Sequence, residues 1–162
     1  MFSIFKKKVN NLKNTDEFLM PVSGKVISLD DVDDEVFSKR MMGDGFAIEP
    51  ENGHVFSPID GVITCAFVTK HAISIKSDSG VEVLVHFGLD TVDLKGEGFE
   101  IYVKQGDSIK AGDKLLEVNV EKIKDKVKSL VVPIIFMDLN GKKFTYNIGH
   151  FQAKESGVVS IK

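Results

Sequence analysis

The chain has 162 residues, 43% hydrophobic and 28% charged, the balance of a soluble chain of one domain, or a domain with an appendage, with enough apolar material for a core. Its single cysteine, Cys65, excludes an internal disulfide and any C-x-x-C zinc or redox pair, and no window approaches the roughly 18 uninterrupted apolar residues of a membrane-spanning helix. A formal charge of −3 excludes a general nucleic-acid binder, and the start lacks the apolar core of a signal peptide, so a cytoplasmic location is expected.

The charge is uneven along the chain. Residues 1–14 carry four lysines and no acid, a net +4, which leaves −7 on the other 148. In that head Phe2, Phe5, Val9 and Leu12 fall on one helical face. The segment reads either as a solvated terminus or as a weak, reversible contact with an anionic membrane surface, since each lysine near such a surface contributes about 1 kcal/mol. The expected organisation is a basic segment over 1–17 and a domain over 18–162.

From Phe18 onward, short runs of Val, Ile and Phe alternate with breakers such as Ser23-Gly24, Gly43-Asp44-Gly45, Asp60-Gly61, Asp78-Ser79-Gly80, Gln105-Gly106-Asp107, Ala111-Gly112-Asp113 and Asn140-Gly141. About ten short strands are predicted, an all-β rhythm that suits an antiparallel sandwich or barrel. Pro21 to Ile27 (PVSGKVI) is echoed thirty-seven residues later by Pro58 to Thr64 (PIDGVIT), which suggests the paired hammerhead units of barrel-sandwich folds. One helix is predicted over Val120 to Leu130, where Val120, Ile123, Val127 and Leu130 share a face and Pro133 follows.

The phosphate-loop, H-E-x-x-H and nucleophile-elbow signatures are absent, so the four histidines are the groups that could carry chemistry. His54 and His150 stand alone. His71 and His86 lie on the two arms of a predicted hairpin turning at Asp78-Ser79-Gly80. A two- or four-residue loop there pairs residues whose numbers sum to 157. His71 then faces His86, Thr69 faces Gly88 and Phe67 faces Asp90, and Val81, Val83, Val85 and Phe87 form an apolar back face. A three-residue turn would instead slip the register by one and set the histidines on opposite faces. Two imidazoles are too few for a catalytic zinc site, which wants about three protein ligands. They suffice for phosphoryl transfer, in which one neutral ring attacks phosphorus while the other ring and a hydroxyl bind phosphoryl oxygens.

The stretches Gly43-Asp44-Gly45-Phe46-Ala47-Ile48, Thr69-Lys70-His71-Ala72, Ser79 to Val92 (SGVEVLVHFGLDTV) and Leu94-x-Gly96-x-Gly98-Phe99 closely resemble the glucose-type IIA component of the bacterial phosphoenolpyruvate-dependent sugar phosphotransferase system. The likeness runs from about Met20 to Ile161. It implies an all-β antiparallel β-sandwich of the barrel-sandwich type, with one short helix, that takes a phosphoryl group from the carrier protein HPr. The group then passes to a cysteine on the IIB domain of a glucose-type permease. By position, the resemblance makes His86 the phosphorylated residue through Nε2 and His71 the histidine that stabilises the phosphoryl group. Thr69 would assist His71, Gly88 would offer the carbonyl that fixes the His86 tautomer, and Asp90 would lie at the rim. Val36, Phe37, Met42, Phe67 and Leu84 would form the apolar collar that docks both partners, with Glu35 and Leu84 standing where many relatives carry an aliphatic and an aromatic residue.

No cofactor is required by this reading; zinc on His71 and His86 is expected only where a partner supplies a further ligand. Relatives also bind regulatory targets in a phosphorylation-dependent way, so a regulatory binding module is one alternative. A lysostaphin-type zinc peptidase is another. It would use an H-x-H pair that Phe87-Gly88 after His86 does not supply, although His86 to Asp90 satisfies H-x-x-x-D.

Overall fold

A computed structural model describes residues 17–162. Apart from Glu17, the basic segment and its expected helical face lie outside the described residues. Within them are thirteen strands: β1 (Gly24–Ser28), β2 (Asp44–Pro50), β3 (His54–Phe56), β4 (Gly61–Ala66), β5 (Ala72–Lys76), β6 (Glu82–His86), β7 (Phe99–Ile101), β8 (Ser108–Ile109), β9 (Lys114–Val118), β10 (Val132–Asp138), β11 (Phe144–Tyr146), β12 (Gly149–Phe151) and β13 (Val159–Ile161). Eight of them hydrogen-bond in the order β12-β1-β2-β10-β6-β5-β4-β8, three in the order β3-β9-β7, and β11 pairs with β13. Every one of these pairings is antiparallel, as the sandwich reading expects.

Two apolar clusters lie on the two sides of the large sheet. The larger gathers Phe46 and Ile48 of β2, Ile73 and Ile75 of β5, Val83 and Val85 of β6, and Ile134 and Phe136 of β10, closed by Phe18, Leu115, Leu116 and Val159 from other segments. The alternate residues Ala47, Ala72, Leu84 and Ile135 point the other way and join Leu29, Val32, Phe37, Leu89 and Val131. Val81, Val83, Val85 and Phe87 are fully buried, as their alternation predicted. The opposite face was expected to be polar. It is apolar at its centre instead, because the strands lie in the middle of the sheet and are covered on both sides, and Val-Leu-Val without interruption is how such strands read. Burying each Val, Leu, Ile or Phe contributes roughly 1.5–3 kcal/mol, so the second cluster is a real anchor for whatever sits on it.

The repeated Pro-x-x-Gly unit is structural. Both copies bend and then enter a strand, β1 or β4. At each glycine a Cβ would collide with a neighbouring carbonyl, 2.1 Å from Glu49 O at Gly24 and 2.3 Å from Lys76 O at Gly61. The copies also cross: Leu19 N–H donates to Pro58 O and Phe56 N–H to Pro21 O.

The helices differ from expectation. Helix α2 covers only Val120–Ile123, capped by the Asn119 side chain accepting from the Lys122 N–H at 3.1 Å. It does not continue to Leu130; there the Ser129 and Val131 carbonyls accept from the N–H groups of Leu89 and Gly88, which ties this stretch to the turn after β6. Pro133 lies inside β10 rather than acting as a helix stop. A second helix, α1 (Glu35–Ser38), was not expected from the sequence. Its N-cap is Asp34, whose Oδ1 accepts from the Val36 N–H at 2.9 Å.

Candidate functional site

The β5–β6 hairpin builds the site, by a route other than the one its turn residues suggested. The Ser77 N–H donates to Val81 O and the Gly80 N–H to Ser77 O, and Gly80 has φ +91°. This is a three-residue loop in which the αL residue follows a tight turn. The register therefore sums to 158: Lys76 faces Glu82, Ser74 faces Leu84, and His86 faces Ala72. The expected opposition of His71 and His86 is overturned, along with Thr69 opposite Gly88 and Phe67 opposite Asp90.

The imidazoles nevertheless meet. Regular pairing ends at Ala72, the Lys70 N–H turns back to Phe67 O, and Lys70 takes a left-handed φ of +66°. His71 itself keeps one cross-strand bond, its carbonyl accepting from the Phe87 N–H at 2.8 Å. Its ring lies 4.8 Å from that of His86, edge to face at 83°. Phe67 stands 5.6 Å from His71 and Phe37 stands 4.9 Å from His86, so a phenyl ring flanks each imidazole.

Each imidazole has one nitrogen committed. His86 Nδ1 lies 2.9 Å from Gly88 O. A carbonyl only accepts, so Nδ1 carries the proton and Nε2 holds the lone pair. Gly88 can present its carbonyl because it has φ +83°, and a Cβ there would lie 2.5 Å from Thr91 Cγ2. Thr91, fully buried, donates its hydroxyl to Phe87 O at 2.8 Å and holds this turn. The space a side chain on Gly88 would take is filled by Thr91. His71 Nδ1 lies 2.7 Å from Thr69 Oγ1. A hydroxyl both donates and accepts, so Thr69 can stay bonded to either tautomer of His71.

Burial pushes the His86 imidazole down to about 4, the neighbouring His71 adds to the shift, and the Gly88 carbonyl and the Asp34 carboxylate oppose it. Burial also lowers His71, with a hydrogen bond to the Thr69 backbone opposing. Both rings are therefore neutral near pH 7, and the lone pair on His86 Nε2 is available without a general base.

Around the rings, Val36, Met42 and Phe67 are exposed, whereas Phe37 is 5% and Leu84 1% exposed. This corrects the expected collar: Leu84 belongs to the floor beneath the site, and Phe37 packs on His86 from the side. Met41 at 69% and Val68 at 92% are more open than any residue of the expected collar. Asp90 is exposed at a left-handed φ of +63° and makes no capping bond. Asp34 and Thr91 were missed by the sequence reading. Thr91 lay inside the His86 to Val92 run, and Asp34 preceded a Glu-Val-Phe run as an N-cap should.

The other histidines are placed elsewhere. His54 on β3 lies 3.3 Å from Glu117, and His150 on β12 lies 3.9 Å from Glu51. Cys65 is a half-buried residue of β4 beside a bulge. Among the described residues no group of three or more His, Cys, Asp or Glu side chains could hold a metal ion, so a zinc peptidase lacks its ligand set there. No helix among them is long and apolar enough to cross a membrane.

Comparison with known proteins agrees with this geometry. The family described as phosphoenolpyruvate-dependent sugar phosphotransferase system, EIIA 1, matches residues 16–144. A glucose-specific EIIA component of that system from Mycoplasma capricolum is 47% identical over 143 residues, covering 88% of this chain and 92% of the relative. One from Halalkalibacterium halodurans is 42% identical over 142 residues, covering 86% and 82%. A glucose-specific EIICBA component from Staphylococcus carnosus is 48% identical over 141 residues, which span 87% of this chain and 21% of that longer protein. The solved structure titled glucose permease IIA from Mycoplasma capricolum superposes with a TM-score of 0.86 at 41% identity, covering 98% of this chain and 99% of that one.

Proposed function

We propose, from the premise that this chain belongs to the EIIA 1 family of the phosphoenolpyruvate-dependent sugar phosphotransferase system, that His86 is the residue on which it carries the phosphoryl group. The observation that carries the proposal is the bond from His86 Nδ1 to Gly88 O, which leaves Nε2 as the lone-pair nitrogen, in a ring 4.8 Å from that of His71.

In the first step the Nε2 lone pair attacks the phosphorus of phospho-HPr. A P–N bond to Nε2 forms as the P–N bond to the carrier breaks, and the electron pair leaves with the carrier's imidazole. The proton stays on His86 Nδ1, donated to the Gly88 carbonyl throughout, so the ring needs no base. In the second step the thiolate of a permease IIB cysteine attacks phosphorus and His86 departs as a neutral imidazole. His71 donates from Nε2 to a phosphoryl oxygen when Thr69 donates to its Nδ1, and the edge-to-face ring geometry suits that role. Val36, Met42 and Phe67 supply exposed apolar contact around the rings, and Asp90 a carboxylate at the rim. The reaction takes place in the cytoplasm, with the 1–14 segment in weak contact with the membrane surface. His71 and His86 would hold zinc only at an interface where a partner supplies a further ligand such as a carboxylate.

Incubation with phosphoenolpyruvate, enzyme I and HPr should add one acid-labile phosphoryl group, located to His86 by peptide mass spectrometry. Labelling of His71 instead, or of neither ring, would overturn the proposal.

A further inference from the structure

Between Asp30 and Asp44 the chain leaves the large sheet and returns to it; this excursion sets Phe37 against His86 and Asp34 near enough to act on its charge, and it exposes Val36, Met41 and Met42. One side chain ties it together. Arg40 Nη1 donates to Asp30 Oδ1 at 2.7 Å and to Ser38 O at 2.8 Å, and Nε donates to Asp44 Oδ1 at 3.0 Å. Asp44 Oδ1 also accepts from the Gly45 N–H at 2.8 Å, which orients that carboxylate, and the Asp30 N–H donates to Ser28 Oγ at 3.1 Å, which fixes the Asp30 backbone at the end of β1. The guanidinium thus joins where the excursion starts, where it ends, and the last turn of α1. Arg40 adopts a left-handed φ of +55° to reach this position, and its N–H bonds to Phe37 O.

We propose that Arg40 is a positioning residue for the phosphoryl transfer. By fastening both ends of the excursion to α1, it holds the Phe37 ring 4.9 Å from His86 and presents Val36 and Met42 to the incoming carrier in one arrangement. The inference rests on the function proposed above. Global stability is a poor explanation for the cluster, because Asp30 and Asp44 are 73% and 56% exposed and ion pairs of that kind contribute little to folding. The planar fork of arginine makes these contacts together; an ammonium at the same place would keep at most part of the set.

The test compares the wild type with Arg40→Ala and Arg40→Lys in the full chain. It measures KM and kcat for phospho-HPr, the His86 ring-proton shifts by NMR, which sense the Phe37 ring current, and the melting midpoint. Arg40→Ala should raise KM about tenfold, leave kcat within about threefold, and move the His86 shifts while the midpoint stays within a few degrees. Arg40→Lys should fall between it and the wild type. Should Arg40→Ala fold poorly, Asp30→Ala, which cuts one end of the clamp, is read the same way. Unchanged KM and unchanged His86 shifts in a folded clamp variant overturn the role of Arg40, whereas a wild type that takes no label from phospho-HPr overturns the proposed function itself.

Discussion

The His71–His86 pair and the His54–Glu117 pair are two outcomes for the same side chain in one fold. His54 is 50% exposed and meets a carboxylate 3.3 Å away on the strand beside it, the ordinary arrangement of a surface histidine. His71 is 3% exposed, and neither it nor His86 has a carboxylate in hydrogen-bonding contact; their Nδ1 partners are a hydroxyl and a carbonyl. An ionised carboxylate partner would stabilise imidazolium, in which both nitrogens carry protons and no lone pair is left to attack. Neutral partners and burial keep one nitrogen basic, unprotonated and free, which is what a phosphorus nucleophile needs. Reactivity here comes from which neighbours are withheld.

The contrast can be broken most decisively by substitution of the rings. His86→Gln should abolish acceptance from phospho-HPr, a loss above about a thousandfold, while His54→Gln should leave it within about twofold; equal losses in a radiolabel transfer assay would erase the distinction. His71→Gln should still accept the group but donate it to IIB about a hundredfold more slowly, and single-turnover chase with purified IIB reads the two steps separately. Gly88→Ala should cost on the order of 1–3 kcal/mol in denaturant unfolding, since a left-handed φ and a crowded Cβ both oppose it, and should slow acceptance about tenfold by disturbing the Nδ1 bond. Thr91→Ser in the same chain, which removes the crowding methyl, should recover part of the stability and none of the strain from φ.

A further expected effect is on the pH dependence of stability. His86, held near 4 when folded, binds fewer protons than the unfolded chain, where the same side chain titrates near 6.5. Stability must therefore fall as pH drops from about 6.5 to about 4, by at most 1.4 kcal/mol per pH unit for this group, and level off below. His86→Gln should lack that component in paired melts across the range. An NMR titration placing His86 at or above 6.5 would remove the electrostatic half of the comparison.

How much of this was legible in sequence depends on the distance over which each residue acts. The back face of Val81, Val83, Val85 and Phe87 was readable because alternation is a local signal and the core rewards it directly. The meeting of His71 and His86 was foreseen for an inadequate reason. Asp78-Ser79-Gly80 permits loops of several lengths, the three-residue loop formed, and the rings meet beside a left-handed turn at Lys70. Nothing local in Thr69-Lys70 announces that turn. Phe37 against His86 was hidden because it depends on the fifteen-residue excursion between β1 and β2 closed by Arg40, and the short α2 because carbonyls of residues 129 and 131 were claimed by residues 89 and 88.

The crossed Pro-x-x-Gly units carry a mechanical corollary. Tension applied to the chain at residue 17 falls first on the hydrogen bonds from Leu19 to Pro58 and from Met20 to Glu155. Those anchors share no residue with either imidazole or with the loops that hold them. A neighbour hauling on that end would strain the seam between the two halves and leave the relay aligned.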